Sequence, residues 1–580
     1  MNNPDRVTYF AATDSRGKRV PFGLKAVDRT KHMYVIGKTG MGKSTLLENM
    51  AIQDIQNGEG LAFIDPHGGT ADKLLEYIPE NRINDVVYFA PFDLDQPIAF
   101  NVMEDVGYDK RHLVTSGLMA TFKKIWQDAW SARMEYILTN TLLALLEYPG
   151  ATLLGVNRMY TDKAYRKKVV DNIKDPVVKD FWTKEFAQYT DRFTQEATPA
   201  IQNKVGQFTS NPLIRNIIGQ PESSFDIRKL MDERKILIVN LSKGLVGDTN
   251  TQLLGSMITT RIFLAAMSRA DLSARDISEL PNFYFYVDEF QNFANETFAE
   301  ILSEARKYKL NLTIAHQYVE QMEEEVRAAV FGNVGTTVAF RVGPFDAEVL
   351  ETIFLPEFNQ EDLVNLGMYQ MYLTLMIDGV GSRPFSAVSL PPIEPPPTGF
   401  KQRVIEASRV AFGTPRSSVE KEIFDELAPR DEMPEPKQKA PKREPPRGGP
   451  PPRQGNANRA PAGNPGQKSA GELKDILRGM TANNDKKEIS KEKQQQAPLK
   501  GALAEVLKKS EGSTPAAKPK ETSKQHAPQK PAQRQDPKRQ SSNASDSRQD
   551  TRQNDTPKSD TNRPYEVPEE TLRNIFSDKK

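Results

Sequence analysis

Two adjacent acids, Asp288 and Glu289, follow a strongly apolar stretch in the sequence FYFYVDEFQNF at residues 283–293. The five residues before the acids are aromatic or β-branched, which predicts a buried strand. Carboxylates at the end of a buried strand are costly unless a cation compensates their charge. The pair therefore requires a compensating partner, and the chemistry of the two acids depends on what that partner is.

The segment GKTGMGKS at residues 37–44 matches the phosphate-loop pattern GxxxxGK[ST], with an apolar run before it and a helical pattern after it. Glycines let the backbone point its N–H groups at phosphate oxygens, and the helix start adds positive potential. The lysine of this pattern reaches the β- and γ-phosphates of a nucleotide. A glycine-rich turn without a ligand is the alternative. The predicted nucleotide contacts are Gly37, Lys38, Thr39, Gly40, Met41, Gly42, Lys43, Ser44 and Thr45.

A phosphate loop requires a metal-binding acid at the end of a neighbouring strand, and this requirement gives the two acids their roles. We expect Ser44 and Asp288 to hold Mg²⁺, and Glu289 to polarise the attacking water, with ATP and Mg²⁺ as cofactors. Lys43 is the predicted catalytic cation of the loop. The alternative is a pair of acids that are simply solvated at a strand end.

Further polar residues lie near the ends of other predicted strands. Gln317 closes the strand after the two acids, where it could sense the γ-phosphate or the attacking water. Arg306 lies on the preceding helix, and its spacing alone favours an ordinary exposed side chain. Asp65 and His67 end another strand; they could face the nucleotide, although the glycines that follow slightly favour a turn.

These residues need strands that bring them to one edge of a sheet. Apolar runs of strand length alternate with helical patterns, which predicts an α/β fold with a mostly parallel sheet. The runs are residues 33–37, 60–66, 85–91, 235–242, 282–288, 310–317, 335–342 and 371–378. We expect an ATPase domain in two parts, 1–104 and 233–392, interrupted by an all-helical insertion at 105–232, and followed by a linker at 393–429.

Residues 430–580 are rich in Pro, Gln, Lys, Ser and Asn, which predicts a disordered tail. Residues 401–580 carry 37 basic and 26 acidic residues, about +11, which leaves about −10 for residues 1–400. Such a tail could bind nucleic acid or an acidic partner, or could simply aid solubility.

Three segments of the tail, 471–477, 501–507 and 570–576, carry apolar residues at helical spacing. They are either docking motifs for a secretion or conjugation protein or chance patterns.

The motifs GKTGMGKST, FIDPHGG, VDEFQNF, EARKYKLNLTIAHQ and GNVGTTVAFRVG occur in the order found in the FtsK–HerA superfamily of DNA-pumping ATPases. Residues 20–390 most resemble the type IV secretion and conjugation branch, which includes the coupling proteins. The resemblance implies a RecA-like P-loop NTPase that forms a ring, usually a hexamer, with ATP between subunits, and that drives DNA or a protein–DNA substrate through a pore. It also implies that Gln317 contacts nucleotide and that Arg306, or the adjacent Lys307, acts across the subunit interface. Arg29 or Lys31 would be the basic residue that contacts nucleotide from before the first strand of the family fold.

Two features of the sequence depart from this family. Coupling proteins typically carry transmembrane helices and HerA-like proteins a β-barrel before the ATPase domain, and the sequence predicts neither. The chain contains no cysteine, which fits a reducing cytosol. We therefore expect a cytoplasmic protein without a membrane span, attached to the inner membrane, if at all, through a partner.

Two alternative functions stay open. One is a motor that moves protein or assembles a channel or pilus. The other is a nucleotide-gated adaptor that recruits partners through its tail.

Overall fold

The computed structural model describes residues 3–14, 17–104, 106–189 and 191–428. The basic tail expected at 430–580, together with its three apolar segments, lies outside the described residues. Among the helices of the described residues, none is both long enough and apolar enough to cross a membrane.

The described chain alternates strands with helices. The strands are β1 Val7–Thr13, β2 Pro21–Lys25, β3 Met33–Ile36, β4 Gly60–Asp65, β5 Val86–Phe89, β6 Ile236–Asn240, β7 Phe283–Val287, β8 Leu310–His316, β9 Thr336–Ala339, β10 Gln370–Thr374, β11 Met376–Ile377, β12 Val380–Gly381 and β13 Phe385–Ser389. The first helices are α1 Lys43–Gln56, α2 Gly69–Leu74, α3 Arg111–Ile125, α4 Ala132–Leu146, α5 Leu154–Thr161, α6 Lys163–Asn172, α7 Pro176–Asp180, α8 Asp191–Thr209, α9 Pro212–Ile218 and α10 Ile227–Asp232. The remaining helices are α11 Lys243–Val246, α12 Asp248–Met267, α13 Ala274–Glu279, α14 Glu296–Glu304, α15 Glu324–Asn333, α16 Pro344–Phe354, α17 Gln360–Asn365, α18 Lys401–Phe412 and α19 Arg416–Leu427.

One large sheet organises the fold, with strand order β2-β1-β13-β10-β9-β3-β8-β7-β4-β6-β5. The strands from β9 to β5 are parallel, whereas those from β2 to β9 pair antiparallel. The predicted α/β class with a mostly parallel sheet is therefore confirmed. Each of the eight predicted strands falls on a strand, β3 to β10, but the antiparallel β1, β2 and β13 were not predicted.

Strand β7 shows why its sequence is apolar throughout. Phe283, Phe285 and Val287 join the apolar cluster on one face of the sheet, while Tyr284 and Tyr286 join the cluster on the other face. All five side chains are buried. A parallel strand covered by helices on both faces needs apolar residues at every position, rather than at alternate ones.

The insertion expected at 105–232 contains helices α3 to α10, and its described residues form no strand. Helix α3 lies against α12 so closely that a Cβ atom on Gly117 would come within 2.5 Å of the Thr260 methyl group. One apolar cluster includes Phe122 and Leu142 of the insertion together with Val287 of the sheet. The insertion is helical, as expected. Because its apolar core continues into that of the sheet, the domain boundaries at residues 105 and 232 remain a proposal.

Residues 393–429, which the sequence suggested as a linker, contain two packed helices. The hydroxyl of Ser408 in α18 accepts a hydrogen bond from the Tyr88 N–H in β5 at 2.9 Å, and Val404 is fully buried. In α19, Val419 and Ile423 pack against Leu154 of the insertion. The preceding proline-rich run concealed this helical pattern, so the segment is better described as part of the packed structure.

Candidate functional site

The predicted phosphate loop connects β3 to α1. Residues 37–42 form the loop, and Lys43, Ser44 and Thr45 begin the helix. Gly40 and Gly42 have φ values of 78° and 120°, which side-chain-bearing residues adopt only at a cost. Thr39, Gly40 and Ser44 are exposed, so the loop surface is open to a ligand at the N-terminus of α1.

Lys43 folds back over this loop. Its Nζ atom donates a hydrogen bond of 2.7 Å to the Gly37 carbonyl oxygen, and the residue is only 5% exposed. Burial lowers the pKa of Lys43, an effect that Glu289 and Asp288 oppose. The ammonium group therefore lies within the loop that would hold phosphate, close to both acids.

Ser44 and Asp288 lie together, as a shared metal ion would require. The Ser44 hydroxyl donates to Asp288 Oδ2 at 2.8 Å, and the N–H of Glu289 donates to Asp288 Oδ1 at 2.9 Å. Burial raises the pKa of Asp288, and the neighbouring carboxylates of Glu289 and Asp65 add to this effect. A buried acid beside other acids and a hydroxyl is a donor set that suits a hard cation such as Mg²⁺.

Glu289 follows β7 with a φ of 48°, an uncommon left-handed conformation that aims its side chain toward several donors. Its Oε2 atom accepts a 2.7 Å hydrogen bond from Gln291, and its Oε1 atom accepts a short one from Gln317. Burial alone would raise its pKa, but the donors His67, Gln317 and Gln291, with Lys43 nearby, hold the pKa of Glu289 at about 2. The carboxylate is therefore ionised at neutral pH.

Gln317 connects the phosphate loop to this acid. Its Oε1 atom accepts a 3.1 Å hydrogen bond from the Thr39 hydroxyl, while its amide nitrogen donates to Glu289. The residue lies just beyond β8, at the same edge of the sheet as the loop. A ligand that moves Thr39 or Gln317 would change the hydrogen bonds of the Glu289 carboxylate.

Asp65 ends β4, and His67 lies two residues beyond it; the two side chains have different contacts. Asp65 accepts hydrogen bonds from the N–H groups of His67 and Ala71, at 2.8 and 2.9 Å, as expected of a turn residue. The ring of His67, however, places Nε2 at 3.9 Å from Glu289 Oε1, and this pairing raises the pKa of His67. The turn interpretation thus fits Asp65 but misses His67 as a side chain of the candidate site.

Arg306 lies at the other edge of the sheet. It belongs to the turn Ala305–Tyr308 before β8, whose seven residues at about 3.3 Å each separate it from Gln317 by roughly 20 Å. Arg306 is exposed, and its guanidinium makes no ion pair with any residue that the structure describes. Lys307 is exposed too and pairs with Glu304 at 2.5 Å. Neither residue reaches the candidate site of its own chain.

Arg29 and Lys31 precede β3, at the opposite end of this strand from the phosphate loop. The Arg29 guanidinium donates to both Asp54 oxygens, at 2.7 and 2.9 Å, and also to Thr8 and Tyr286. Arg29 is 4% exposed, so these donors are committed to a buried ion pair. The suggestion that Arg29 contacts nucleotide is wrong, because its side chain is used to hold α1 and β7 together.

Lys124, in α3 of the helical insertion, was not recognised from the sequence. Its Nζ atom donates to the carbonyl oxygens of Gln291, at 2.6 Å, and of Ala294. Burial lowers the pKa of Lys124 to about 8. The insertion thus holds the loop that follows Glu289 through hydrogen bonds from Lys124. The sequence did not predict this contact, because a single lysine in a helical pattern does not indicate its partner.

Comparisons with known proteins agree with the motif order. A family model described as the central domain of helicase HerA matches residues 12–262, and one described as the TraM recognition site of TraD and TraG matches residues 282–353. No curated protein matches the chain.

Solved structures with a similar fold include coupling proteins. The unbound bacterial conjugative coupling protein TrwBdeltaN70 is 15% identical, with a TM-score of 0.48 over 64% of this chain and 87% of that one. TrwB in complex with ADP and Mg²⁺ is 13% identical, with a TM-score of 0.47 over 67% of this chain and 96% of that one. VirB4 of Thermoanaerobacter pseudethanolicus is 16% identical, with a TM-score of 0.42 over 70% of this chain and 99% of that one.

The two family models fall in one chain, in the expected order, and together cover more than half of it. The first contains the phosphate loop, and the second contains the two acids, Arg306 and Gln317. The chain belongs to the FtsK–HerA superfamily of ATPases, in its type IV secretion and conjugation branch.

Proposed function

We propose that this chain is a Mg²⁺-dependent ATPase that forms a ring and couples ATP hydrolysis to the movement or delivery of DNA in a type IV secretion or conjugation system. The observation that carries this proposal is the meeting of Lys43, Ser44, Asp288, Glu289 and Gln317 at one edge of the sheet. These residues come from distant parts of the sequence, and each matches one task of ATP hydrolysis.

In this proposal the loop N–H groups and Lys43 bind the phosphates, while Ser44 and Asp288 would hold the metal ion. Mg²⁺, when bound, supplies positive charge that stabilises the phosphate oxygens. Glu289, ionised and buried, orients and polarises the attacking water. Gln317 couples the loop to Glu289, because it accepts a hydrogen bond from Thr39 and donates one to the Glu289 carboxylate.

A ring is supported by the position of Arg306. Because it lies roughly 20 Å along β8 from Gln317, it cannot assist hydrolysis in its own chain. An exposed arginine without an ion-pair partner in the described residues suits a role at a neighbouring subunit's site, as in motors that use a trans-acting arginine. We propose a hexamer with ATP between subunits, and Lys307 is the alternative residue for this role.

Two further features concern partners and location. The second family model is described as a TraM recognition site, which supports a proposal that a protein of the secretion or conjugation machinery also binds this chain. The three tail segments are the docking motifs that we propose for such a protein. We propose the cytoplasm as the location, because hydrolysis needs ATP there, with attachment to the inner membrane through that partner.

A protein-translocating or channel-assembling motor is the second candidate, and the charge of residues 1–400, about −10, favours it. Phosphate contacts need clustered lysine and arginine, so an acidic motor region is unfavourable for a DNA pore unless its pore loops are locally basic. A nucleotide-gated adaptor is less well supported, since an adaptor has no need of Lys43, Asp288 and Glu289 together.

The test is steady-state ATP hydrolysis by the full chain with Mg²⁺, alone and with single-stranded or double-stranded DNA. We expect measurable turnover that DNA increases and that Lys43→Ala abolishes. Turnover that DNA does not change would favour the protein-moving motor. Absence of any turnover sensitive to Lys43→Ala would contradict the ATPase proposal itself.

A further inference from the structure

Tyr369 is an exposed aromatic residue that lies directly against the phosphate loop. Its N–H donates a hydrogen bond of 3.3 Å to the Met41 carbonyl oxygen. A Cβ atom placed on Gly42 would lie 3.1 Å from Cδ1 of the Tyr369 ring, so the ring edge packs on this glycine. The residue nevertheless remains 47% exposed, and the adjacent Met368 is 58% exposed.

The backbone of Tyr369 is held in an unusual conformation. Its φ is 65°, a left-handed value that is unfavourable for a bulky side chain. The Tyr369 carbonyl oxygen accepts a 2.9 Å hydrogen bond from the Ser389 N–H in β13, while the Tyr369 N–H bonds to the loop. The backbone of Tyr369 is thus held between the phosphate loop and the sheet, which places the ring beside the loop.

The place of the ring relative to α1 limits what it can contact. Gly42 immediately precedes Lys43, the first residue of α1, and phosphate groups bind at this end of such a helix. A base joined through ribose to those phosphates can lie no farther from the loop than the length of one nucleotide, so a ring that packs on the loop is within its reach. Aromatic side chains stack on nucleotide bases without regard to their identity, because every base has a π-face.

We propose that the Tyr369 ring is the platform on which the base of the bound nucleotide stacks. This inference rests on the proposed function, since it requires a nucleoside triphosphate at the loop. It assigns a base-binding subsite to a residue 326 positions after the loop lysine in sequence, outside the recognised motifs. Because stacking carries little base specificity, ATP and GTP should bind with similar affinity.

The test compares nucleotides with inorganic tripolyphosphate, which has the phosphates but no base. Calorimetric titration of the full chain with Mg²⁺ measures the binding of ATP, GTP and tripolyphosphate to the wild type, Tyr369→Ala and Tyr369→Phe. Tyr108→Ala is the matched control, because Tyr108 is 65% exposed and precedes α3, in the helical insertion. We expect Tyr369→Ala to weaken ATP and GTP about fivefold or more, with tripolyphosphate unchanged. Tyr369→Phe, which keeps the ring, and Tyr108→Ala should both bind like the wild type.

Two outcomes would overturn the inference. Unchanged ATP affinity in Tyr369→Ala would mean that the ring does not contact the base. An equal loss for ATP and tripolyphosphate would mean that the ring only supports the phosphate loop. If the wild type binds neither ATP nor tripolyphosphate, the proposed function fails as well, and this result is distinct from the other two.

Discussion

Replacement of Glu289 by glutamine tests the central assignment of the candidate site. The substitution keeps the size of the side chain but removes its charge and replaces one accepting oxygen by a donor. In the structure both carboxylate oxygens accept bonds from amide nitrogens, those of Gln291 and Gln317. The new NH₂ group of the glutamine would then face the donating amide nitrogen of Gln291 or of Gln317. Two donors cannot bond each other, so one of the two hydrogen bonds is lost.

The loss of a general base typically slows a reaction by roughly 10²–10⁴-fold, equivalent to about 3–5 kcal/mol of transition-state stabilisation. Glu289→Gln should show this loss in steady-state ATP turnover at saturating ATP. Nucleotide affinity should change little, because Lys43 and the loop N–H groups remain in place. The lost hydrogen bond should lower the free energy of unfolding by only about 1–3 kcal/mol, measured by urea denaturation.

Glu320→Gln is the matched control, because Glu320 is an exposed carboxylate just after β8, close in sequence to Gln317. It should hydrolyse ATP like the wild type. Turnover of Glu289→Gln near the wild-type value would remove Glu289 from the mechanism. A parallel loss of ATP affinity and of several kcal/mol of stability would instead show that the residue holds the site together.

Three more experiments test other parts of the proposal. Oligomers mixed from Arg306→Ala and Lys43→Ala chains should recover part of the ATPase activity that each lacks, since some interfaces regain both groups; no recovery in oligomers shown to be mixed would refute a trans role. Lys124→Met should lower turnover several-fold at unchanged ATP affinity, because the loop after Glu289 loses two hydrogen bonds; wild-type turnover would contradict this. Pairing with Glu289 raises the pKa of His67, so its stabilising effect is complete below about pH 6.5 and is lost as the pH rises through the raised value. His67→Gln should remove this part of the pH dependence of the melting temperature.

The parts of this protein that the sequence predicted are those that depend on local patterns. Continuous apolar runs identify the parallel strands, because strands buried on both faces need apolar residues at every position. The phosphate loop follows from glycine spacing, and Asp288 from its place at the end of such a run. The antiparallel strands β1, β2 and β13 escaped prediction because they lie toward the edge of the sheet, where burial is incomplete and the apolar pattern weak.

What the sequence did not reveal depends on contacts between distant segments. The family resemblance offered Arg29, or Lys31, as a nucleotide ligand, yet Asp54 in α1 and Tyr286 in β7 bind the Arg29 side chain in the core. His67 looks like a turn residue, because nothing local places its ring near Glu289, more than 200 residues later. In both cases the role of a polar side chain is set by the partner that the fold brings to it, and no spacing rule encodes that partner.

The contact between Lys124 and the loop after Glu289 links the helical insertion to the candidate site. Lys124 holds the carbonyl oxygen of Gln291, and the side chain of this same glutamine donates to the Glu289 carboxylate. Lys243 donates a hydrogen bond to the Asn292 side chain, whose amide nitrogen donates to the Glu289 carbonyl oxygen. A shift of α3 against the sheet would therefore change the hydrogen bonds that Gln291 makes to the Glu289 carboxylate. In the proposed function, this arrangement would let the insertion change the rate of hydrolysis without changing nucleotide binding.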